Sequence, residues 1–375
     1  MSDTKILKFG GSSIANAEKG GFFRKKSPLN IYIAGTGTVG KSLVKILDNY
    51  CEKHPELNIR PGGLINSRFT CLNETDNSFK DCLNTLLKSE NKYDENVYLA
   101  KMLASHHAVF IDCSSGGNWA NHYETILSKG ISIVTANKVA LSSDITDRRK
   151  LFNIAERSGA ELRYEANVGA GLPIISTIQD LVAAGDNIHK IEGLFSGSLS
   201  YIFNTVDNTN PFSKVVKNAI ELGYMEADPR DDLDGLDMAR KALILHREIG
   251  GKLNLEDIEQ EAILPENIMN AEDVESFIRK LSGFDSTFKN ALNLAADVQK
   301  KLRYLAKITK ESIKISIEAV DNPSPFYHLS NMDNCISIAS DFYSIRPMII
   351  QGAGAGADVT ASGVFADFLK ILKSF

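Results

Sequence analysis

The sequence predicts an α/β protein built as two architectures in series, a parallel sheet covered by helices and then an α+β region whose sheet is mainly antiparallel. Three observations carry this reading. From residue 29 to about residue 168, short apolar segments alternate with amphipathic stretches, the rhythm of strand, crossover helix and parallel strand. After Pro173 several long helical segments follow instead. Strictly alternating stretches such as Ile313-Lys314-Ile315-Ser316-Ile317 come next, the pattern of an antiparallel sheet with one covered face.

Taken in order, strands are expected at residues 30–34, 63–66, 109–112, 131–135 and 162–166, each a short apolar run. Amphipathic helices are expected at 39–49, 97–104 and 145–157, between those strands. The chain divides on this reading into a front segment and linker (1–28), a first domain (29–171, completed by 352–375) and a second domain (172–351). Residues 16–27, rich in Gly, Lys and small side chains, are the only linker-like stretch, and no internal repeat is visible.

Composition narrows the class of function. A chain of 375 residues with 43% apolar and 24% charged side chains is long enough for two or more cores, and is neither disordered nor collagenous. Lys plus Arg number 42 against 47 Asp plus Glu, a net charge of −5 without a basic patch, so nucleic acid is not an expected partner. No apolar stretch approaches the roughly 20 residues that span a bilayer, and Met1-Ser2-Asp3-Thr4-Lys5 leads into too short an apolar run for a signal peptide. A cytoplasmic protein without a membrane partner is expected. Its five cysteines are odd in number, form no Cys-x-x-Cys pair and read as reduced thiols. His106 and His107 are the only adjacent histidines, and neighbours on an extended segment point to opposite faces, so no transition-metal site is expected there.

Chemistry begins at Gly35-Thr36-Gly37-Thr38-Val39-Gly40, which joins an apolar strand to a helix starting near Val39. In that context Gly35 permits a tight turn, Gly37 lets the backbone approach a pyrophosphate, and Gly40 allows close helix packing. A Rossmann-type dinucleotide site is the expectation, with a purely structural glycine turn as the alternative. After the second strand stand Asn66-Ser67-Arg68, where an acid would grip a ribose 2′-hydroxyl. Ser67 and Arg68 suit a 2′-phosphate, which favours NADP with NAD possible; Arg68 as a solvated loop residue is the other reading. Asp112-Cys113-Ser114-Ser115 closes a strand at the carboxyl edge of the sheet, which puts Ser114 where ligands of such sheets bind. Cys113 reads either as a nucleophile or, with no histidine placed to activate it, as a buried thiol.

A second cluster is acidic. Glu226, Asp228, Asp231, Asp232, Asp234 and Asp237 crowd into the segment from Gly223 to Lys241, which leads into an apolar helical run. Asp237 and Lys241 are four apart and share a helix face, which alone describes a solvated ion pair. Lys138, just past the strand at 131–135, changes the weighing. If Lys138 and Lys241 converge, each disfavours the other's charge, and a lysine of lowered pKa carries protons near neutral pH. Carboxylates nearby can hold a substrate ammonium group.

Several blocks in order then resemble one family. Gly35–Gly40, Asn137-Lys138, the run from Asn167 to Pro173, the run from Gly193 to Ile202, the run from Gly223 to Lys241, and residues 352–367 are similar to homoserine dehydrogenase in the form fused behind aspartokinase. The resemblance implies reversible NAD(P)H-dependent reduction of L-aspartate 4-semialdehyde to L-homoserine, in threonine and methionine biosynthesis. It implies Lys241 and Lys138 as proton carriers with Asp237 as their partner. It implies an amino-acid pocket from Glu226, Asp232, Ser198, Tyr224 and Gly197. Glu165, Val168, Ala170 and Leu172 resemble the segment that binds a monovalent cation such as sodium or potassium; a hinge between domains is compatible with the same residues. The run from Gly352 to Val364, with Gly356 at its centre, closes over nicotinamide on this reading, or is a packed loop before the last helix. A homodimer is expected through an apolar face left by the alternation at 313–317 and 335–339.

The rivals are another NADP-linked amino-acid dehydrogenase and a nucleotide-binding regulatory protein that lost turnover; the paired lysines argue against the second. The front, Lys5-Ile6-Leu7-Lys8-Phe9-Gly10-Gly11-Ser12-Ser13, looks like the opening of aspartokinase. It reads as a remnant without the rest of a kinase, so neither aspartate phosphorylation nor marked threonine inhibition is expected.

Overall fold

Among the described residues, two six-stranded sheets carry the architecture. The computed structural model describes residues 27–73, 77–89 and 92–374; the aspartokinase-like stretch at 5–13 lies outside them. In the first sheet, β1 (Leu29–Ala34) leads into α1 (Thr38–Lys53), followed by β2 (Ile59–Ile65), β3 (Thr70–Leu72), α2 (Phe79–Lys88), α3 (Glu95–Leu103), β4 (Ala108–Asp112), α4 (Tyr123–Ser128), β5 (Ser132–Thr135), α5 (Ile145–Ser158) and β6 (Leu162–Arg163). The order is β3-β2-β1-β4-β5-β6, parallel throughout except for β3. The strand order reverses at β1 and β4, so their carboxyl ends open a crevice between diverging connections.

The second region runs α6 (Ile175–Ala183), β7 (Ile188–Leu194), α7 (Gly197–Thr205), α8 (Phe212–Glu221), α9 (Arg230–Leu233), α10 (Leu236–Glu248), β8 (Glu259–Gln260), α11 (Glu266–Met269), α12 (Val274–Leu281), α13 (Asp285–Asp297), β9 (Lys301–Ile308), β10 (Ile313–Val320), β11 (Asp333–Ser340), β12 (Met348–Ala353) and α14 (Ala357–Leu372). Its sheet, β12-β11-β7-β9-β10-β8, is antiparallel apart from the short β8–β10 pair. The α/β class with a parallel-rich sheet and a mainly antiparallel one is therefore as the sequence predicts. Helix α14 returns to the first sheet, where Ala361, Val364, Phe368 and Ile371 join Ile31, Ile33, Leu43, Val44 and Leu47 in one core. Among the described residues no helix is long and apolar enough to cross a membrane.

Three expectations need correction. Strand β2 begins at Ile59, earlier than the predicted residue 63: Pro61 pairs with Ile31, and the β1–β2 register then shifts so that Gly62 is the extra residue before Gly63 meets Tyr32. A Cβ on Gly62 would sit 2.5 Å from the Tyr32 ring, so the glycine there makes room for an aromatic side chain. Strand β6 stops at Arg163 because Glu165–Asn167 turns helically, with the Glu165 N–H donating to Asp367 at 2.7 Å. Finally, the alternating residues of β10 and β11 leave no bare apolar face: Ile313, Ile315, Ile336 and Ile338 are all buried within the chain. Phe342, Ile345 and Ile349, around the edge strand β12, are among the apolar side chains that are exposed.

Candidate functional site

The glycine turn forms because its residues are what the geometry tolerates. Gly35 has φ +87°, and a Cβ there would sit 2.5 Å from the Cys113 carbonyl carbon. A Cβ on Gly40 would lie 2.0 Å from the Gly35 carbonyl oxygen, so the first turn of α1 packs directly on the strand end. Around Gly37 the space is open among the described residues. Gly37 is the N-cap of α1 without a side-chain cap, and no acid stands in the first turn, leaving backbone N–H groups for an anion.

This turn floors a cleft of about 700 Å³ lined by Gly35, Thr36, Gly37, Thr38, Val39, Asn66, Ser67 and Ser114, with Glu226 at its margin. Asn66 donates to Thr36 Oγ1 at 3.2 Å and accepts from the Arg68 and Phe69 N–H groups, which fixes the loop after β2. Arg68 is exposed beside the cleft without lining it. Ser114 donates through its N–H and hydroxyl to Asp112, and Asn137 donates to Ser114 Oγ at 3.2 Å and to the Gly116 carbonyl at 2.7 Å. Burial and the neighbouring Asp112 push the Cys113 thiol far up, which disfavours the thiolate that a nucleophile needs. Sequence reasoning missed Tyr93, Asn118 and Trp119, which also line the cleft; they come from segments that carry no motif.

The acidic run separates into structural and site-facing residues. Asp228 pairs with Arg230, and Asp234 accepts from the Leu236 N–H at the start of α10. Asp237, one residue on, lies between two lysines: Lys138 Nζ is 3.3 Å from Oδ1 and Lys241 Nζ is 2.6 Å from Oδ2. Lys241 also donates to the Phe195 carbonyl at 2.9 Å, which ties α10 to the segment entering α7. Burial raises the Asp237 carboxyl, but Lys241 and Lys138 together hold it well below the usual range. Lys138 is lowered, chiefly by burial and further by the charge of Lys241, against the upward pull of Asp237. Next to them Ser198 donates to Asp232 Oδ1 and the Glu226 N–H to Oδ2, both at 2.8 Å. Burial raises Asp232 against these hydrogen bonds. Tyr224 meets Tyr201 edge-on at 5.1 Å. A Cβ on Gly197 would sit 2.9 Å from the Ala355 Cβ, so the turn before α14 rests on the start of α7.

Two family models match: "Homoserine dehydrogenase, NAD binding domain" over residues 35–165, and "Homoserine dehydrogenase" over residues 173–369. The chain belongs to the homoserine dehydrogenase family. It is 35% identical to the homoserine dehydrogenase of Schizosaccharomyces pombe over 93% of this chain and 96% of that one. With a chloroplastic bifunctional aspartokinase/homoserine dehydrogenase of Zea mays it shares 37% identity over 93% of this chain, but spans only 39% of that protein. A hyperthermophilic archaeal homoserine dehydrogenase solved in complex with NADPH superposes with a TM-score of 0.70 at 25% identity, covering 93% of this chain and 99% of that one.

Between the two stretches matched by the homoserine dehydrogenase models lies the turn that holds Val168, Ala170 and Leu172. Gly169 and Ala170 are both left-handed, at φ +74° and +57°. Glu165, at the head of this turn, uses its carboxylate to accept from the Ile175 and Ser176 N–H groups at 2.7 and 3.0 Å. Its side chain thus anchors the start of α6. Gly356, at φ +122°, turns the chain into α14.

Proposed function

We propose that the chain catalyses the reversible reduction of L-aspartate 4-semialdehyde to L-homoserine with NADPH. The carrying observation is the carboxylate of Asp237 held between Lys138 and Lys241, at the carboxyl edge of a sheet whose glycine turn opens a dinucleotide-sized cleft. The nicotinamide, when bound, supplies the hydride. Lys241 and Lys138 deliver the proton to the carbonyl oxygen in reduction and remove it in oxidation, and Asp237 keeps the two ammonium groups together. Asp232, set by Ser198, and Glu226 take the substrate ammonium, with Tyr224 and Gly197 walling the pocket. Paired lysines around one carboxylate have no use in a regulatory protein that only binds nucleotide, which favours the enzyme. Initial rates followed by cofactor absorbance test this: NADPH consumption with aspartate semialdehyde and NADP reduction with homoserine are expected, and absence of both in folded, cofactor-binding protein contradicts it.

NADP is the proposed cofactor, supported by Ser67 on the cleft, by Arg68 beside it, and by the NADPH bound to the archaeal relative. Arg68→Ala is expected to raise KM for NADPH about tenfold while leaving NADH little changed, a loss on the scale of one charge-assisted contact. Equal effects on both cofactors would remove Arg68 from that role.

A sodium or potassium ion is proposed on the carbonyl oxygens of Glu165, Val168, Ala170 and Leu172, hard donors suited to such ions. The left-handed pair Gly169-Ala170 supports this. The Glu165 carboxylate, occupied by α6, is not part of it. We further propose a homodimer over the β12 edge and Phe342, Ile345 and Ile349, the last three 67, 92 and 44% exposed. Light scattering should give twice the chain mass at micromolar concentration. Free thiols at all five cysteines support a reducing, cytoplasmic setting.

A further inference from the structure

We infer that Arg247 is a positioning residue that sets the place of Lys138 against Asp237 and Lys241, by clamping the loop that carries Lys138 to the far end of α10. The assignment rests on the reading of Lys138 as a proton carrier.

The loop after β5 meets α10 at both of its own ends. At one end Lys138 reaches Asp237, near the start of the helix. At the other, Arg247 Nη1 donates to the Leu141 carbonyl at 3.0 Å and to the Ser143 carbonyl at 2.7 Å. Asp237 and Arg247 are ten residues apart on α10, about 15 Å of rigid helix. Within the loop, the Ser142 N–H and hydroxyl donate to the Lys138 carbonyl at 2.9 and 2.8 Å, so the held stretch is continuous with the lysine.

The rest of the guanidinium is equally committed. Nη2 donates to Asn254 Oδ1 at 3.0 Å and to the Leu253 carbonyl at 3.2 Å. Asn254 in turn accepts from the Ile145 N–H and donates to Asp144, so it holds the same loop one step further on. His246 fixes the helix end from behind, with Nδ1 against the Thr309 carbonyl at 2.8 Å and Nε2 accepting from the Leu253 N–H at 3.2 Å. The clamp therefore starts from a point anchored in the second sheet and reaches into the first region.

Stability alone gives no reason for this arrangement. Arg247 is 5% exposed and, among the described residues, makes no ion pair. Burial pulls its pKa down to about 10. A buried guanidinium without a contacting carboxylate is costly, and an apolar side chain would pack there more cheaply. What an apolar side chain cannot do is hold two carbonyls of one loop and one of another in a fixed fork.

The test uses Arg247→Lys and Arg247→Gln in the full chain, with Asn254→Ala as a milder loosening of the same loop and Lys138→Ala as reference. Kinetics are expressed per folded protein. Arg247→Gln should lower kcat at least tenfold with KM for NADPH within threefold, and Arg247→Lys should recover part of the loss. The charged groups facing Lys138 are Asp237, Lys241 and Arg240, all from α10. A loosened loop hydrates Lys138, so the basic limb of the kcat profile should move to higher pH in the Arg247 variants and in Asn254→Ala. Arg148→Met, which removes the 2.6 Å ion pair between α5 and Glu248 on the same helix, should lower Tm and leave that limb in place. An unchanged kcat and pH profile in folded Arg247 variants would overturn the assignment, as would an equal shift in Arg148→Met. Normal turnover in Lys138→Ala would overturn the proton-carrier reading itself, and this assignment with it.

Discussion

Lys241→Ala and Lys138→Ala are each expected to lower kcat by about 10²–10⁴, the usual scale of general acid–base catalysis, while affinity for NADPH stays near that of the unmodified protein. The expectation follows from Lys241 and Lys138 sharing the Asp237 carboxylate at 2.6 and 3.3 Å. Asp237→Asn should differ in kind. It removes the negative charge that opposes the burial of Lys138, so that lysine loses its proton at lower pH. Reduction needs the lysine protonated, and the basic limb of kcat/KM should therefore move to lower pH, with KM for the semialdehyde rising as well. If Asp237 and Lys241 formed only a surface ion pair, its loss would cost no more than about 1 kcal/mol of stability and leave turnover intact. Steady-state kinetics with thermal melts separate the two; a near-normal kcat in folded Lys241→Ala would remove that lysine from the mechanism.

The second large effect lies at the glycine turn. Gly40→Ala places a methyl group 2.0 Å from the Gly35 carbonyl oxygen, a backbone atom that cannot step aside without moving β1 or α1. Overpacking of this kind costs about 1–3 kcal/mol, and here it also displaces the N-terminus of α1 from the cleft. We expect a lowered Tm and a rise of more than tenfold in KM for NADPH, with the semialdehyde KM affected far less. Gly37→Ala is the contrast: open space surrounds that position, so Tm should hold while cofactor binding weakens, because the added methyl points where the pyrophosphate approaches. Equal, small effects of both substitutions on NADPH would argue against this turn as the pyrophosphate site.

The parts of this architecture that the sequence makes legible are those where a local rule dictates residue type. Gly35 and Gly40 are required by a positive φ and a backbone contact, and the alternation of Ile313, Ile315 and Ile317 follows from the two-residue period of a strand. Strand β2 hides because Pro61 and Gly62 read as breakers; in the fold Pro61 pairs with Ile31 and the register shift takes up Gly62. The same alternation misleads about which face stays bare, since periodicity shows that a face is covered but not by what; here the chain's own residues cover Ile313, Ile315, Ile336 and Ile338. Lys138, Asp237 and Lys241 can each be suspected from their neighbours, whereas their convergence depends on how α10 meets the loop after β5. Tyr93 and Trp119 reach the cleft through loops whose course no pattern encodes, and Arg247 looks in sequence like an ordinary basic residue in the last turn of a helix.

On the proposed reading this site passes a hydride from the nicotinamide to the aldehyde carbon while the lysines handle the proton. That transfer is tested most directly with NADPH dideuterated at nicotinamide C4, incubated with L-aspartate 4-semialdehyde and the purified protein, the product being read by mass spectrometry. Homoserine carrying one deuterium at C4 is the predicted result, formed in step with NADPH consumption and about 10²–10⁴-fold more slowly in Lys241→Ala. Unconsumed NADPH, or homoserine without deuterium, would contradict hydride transfer at this site.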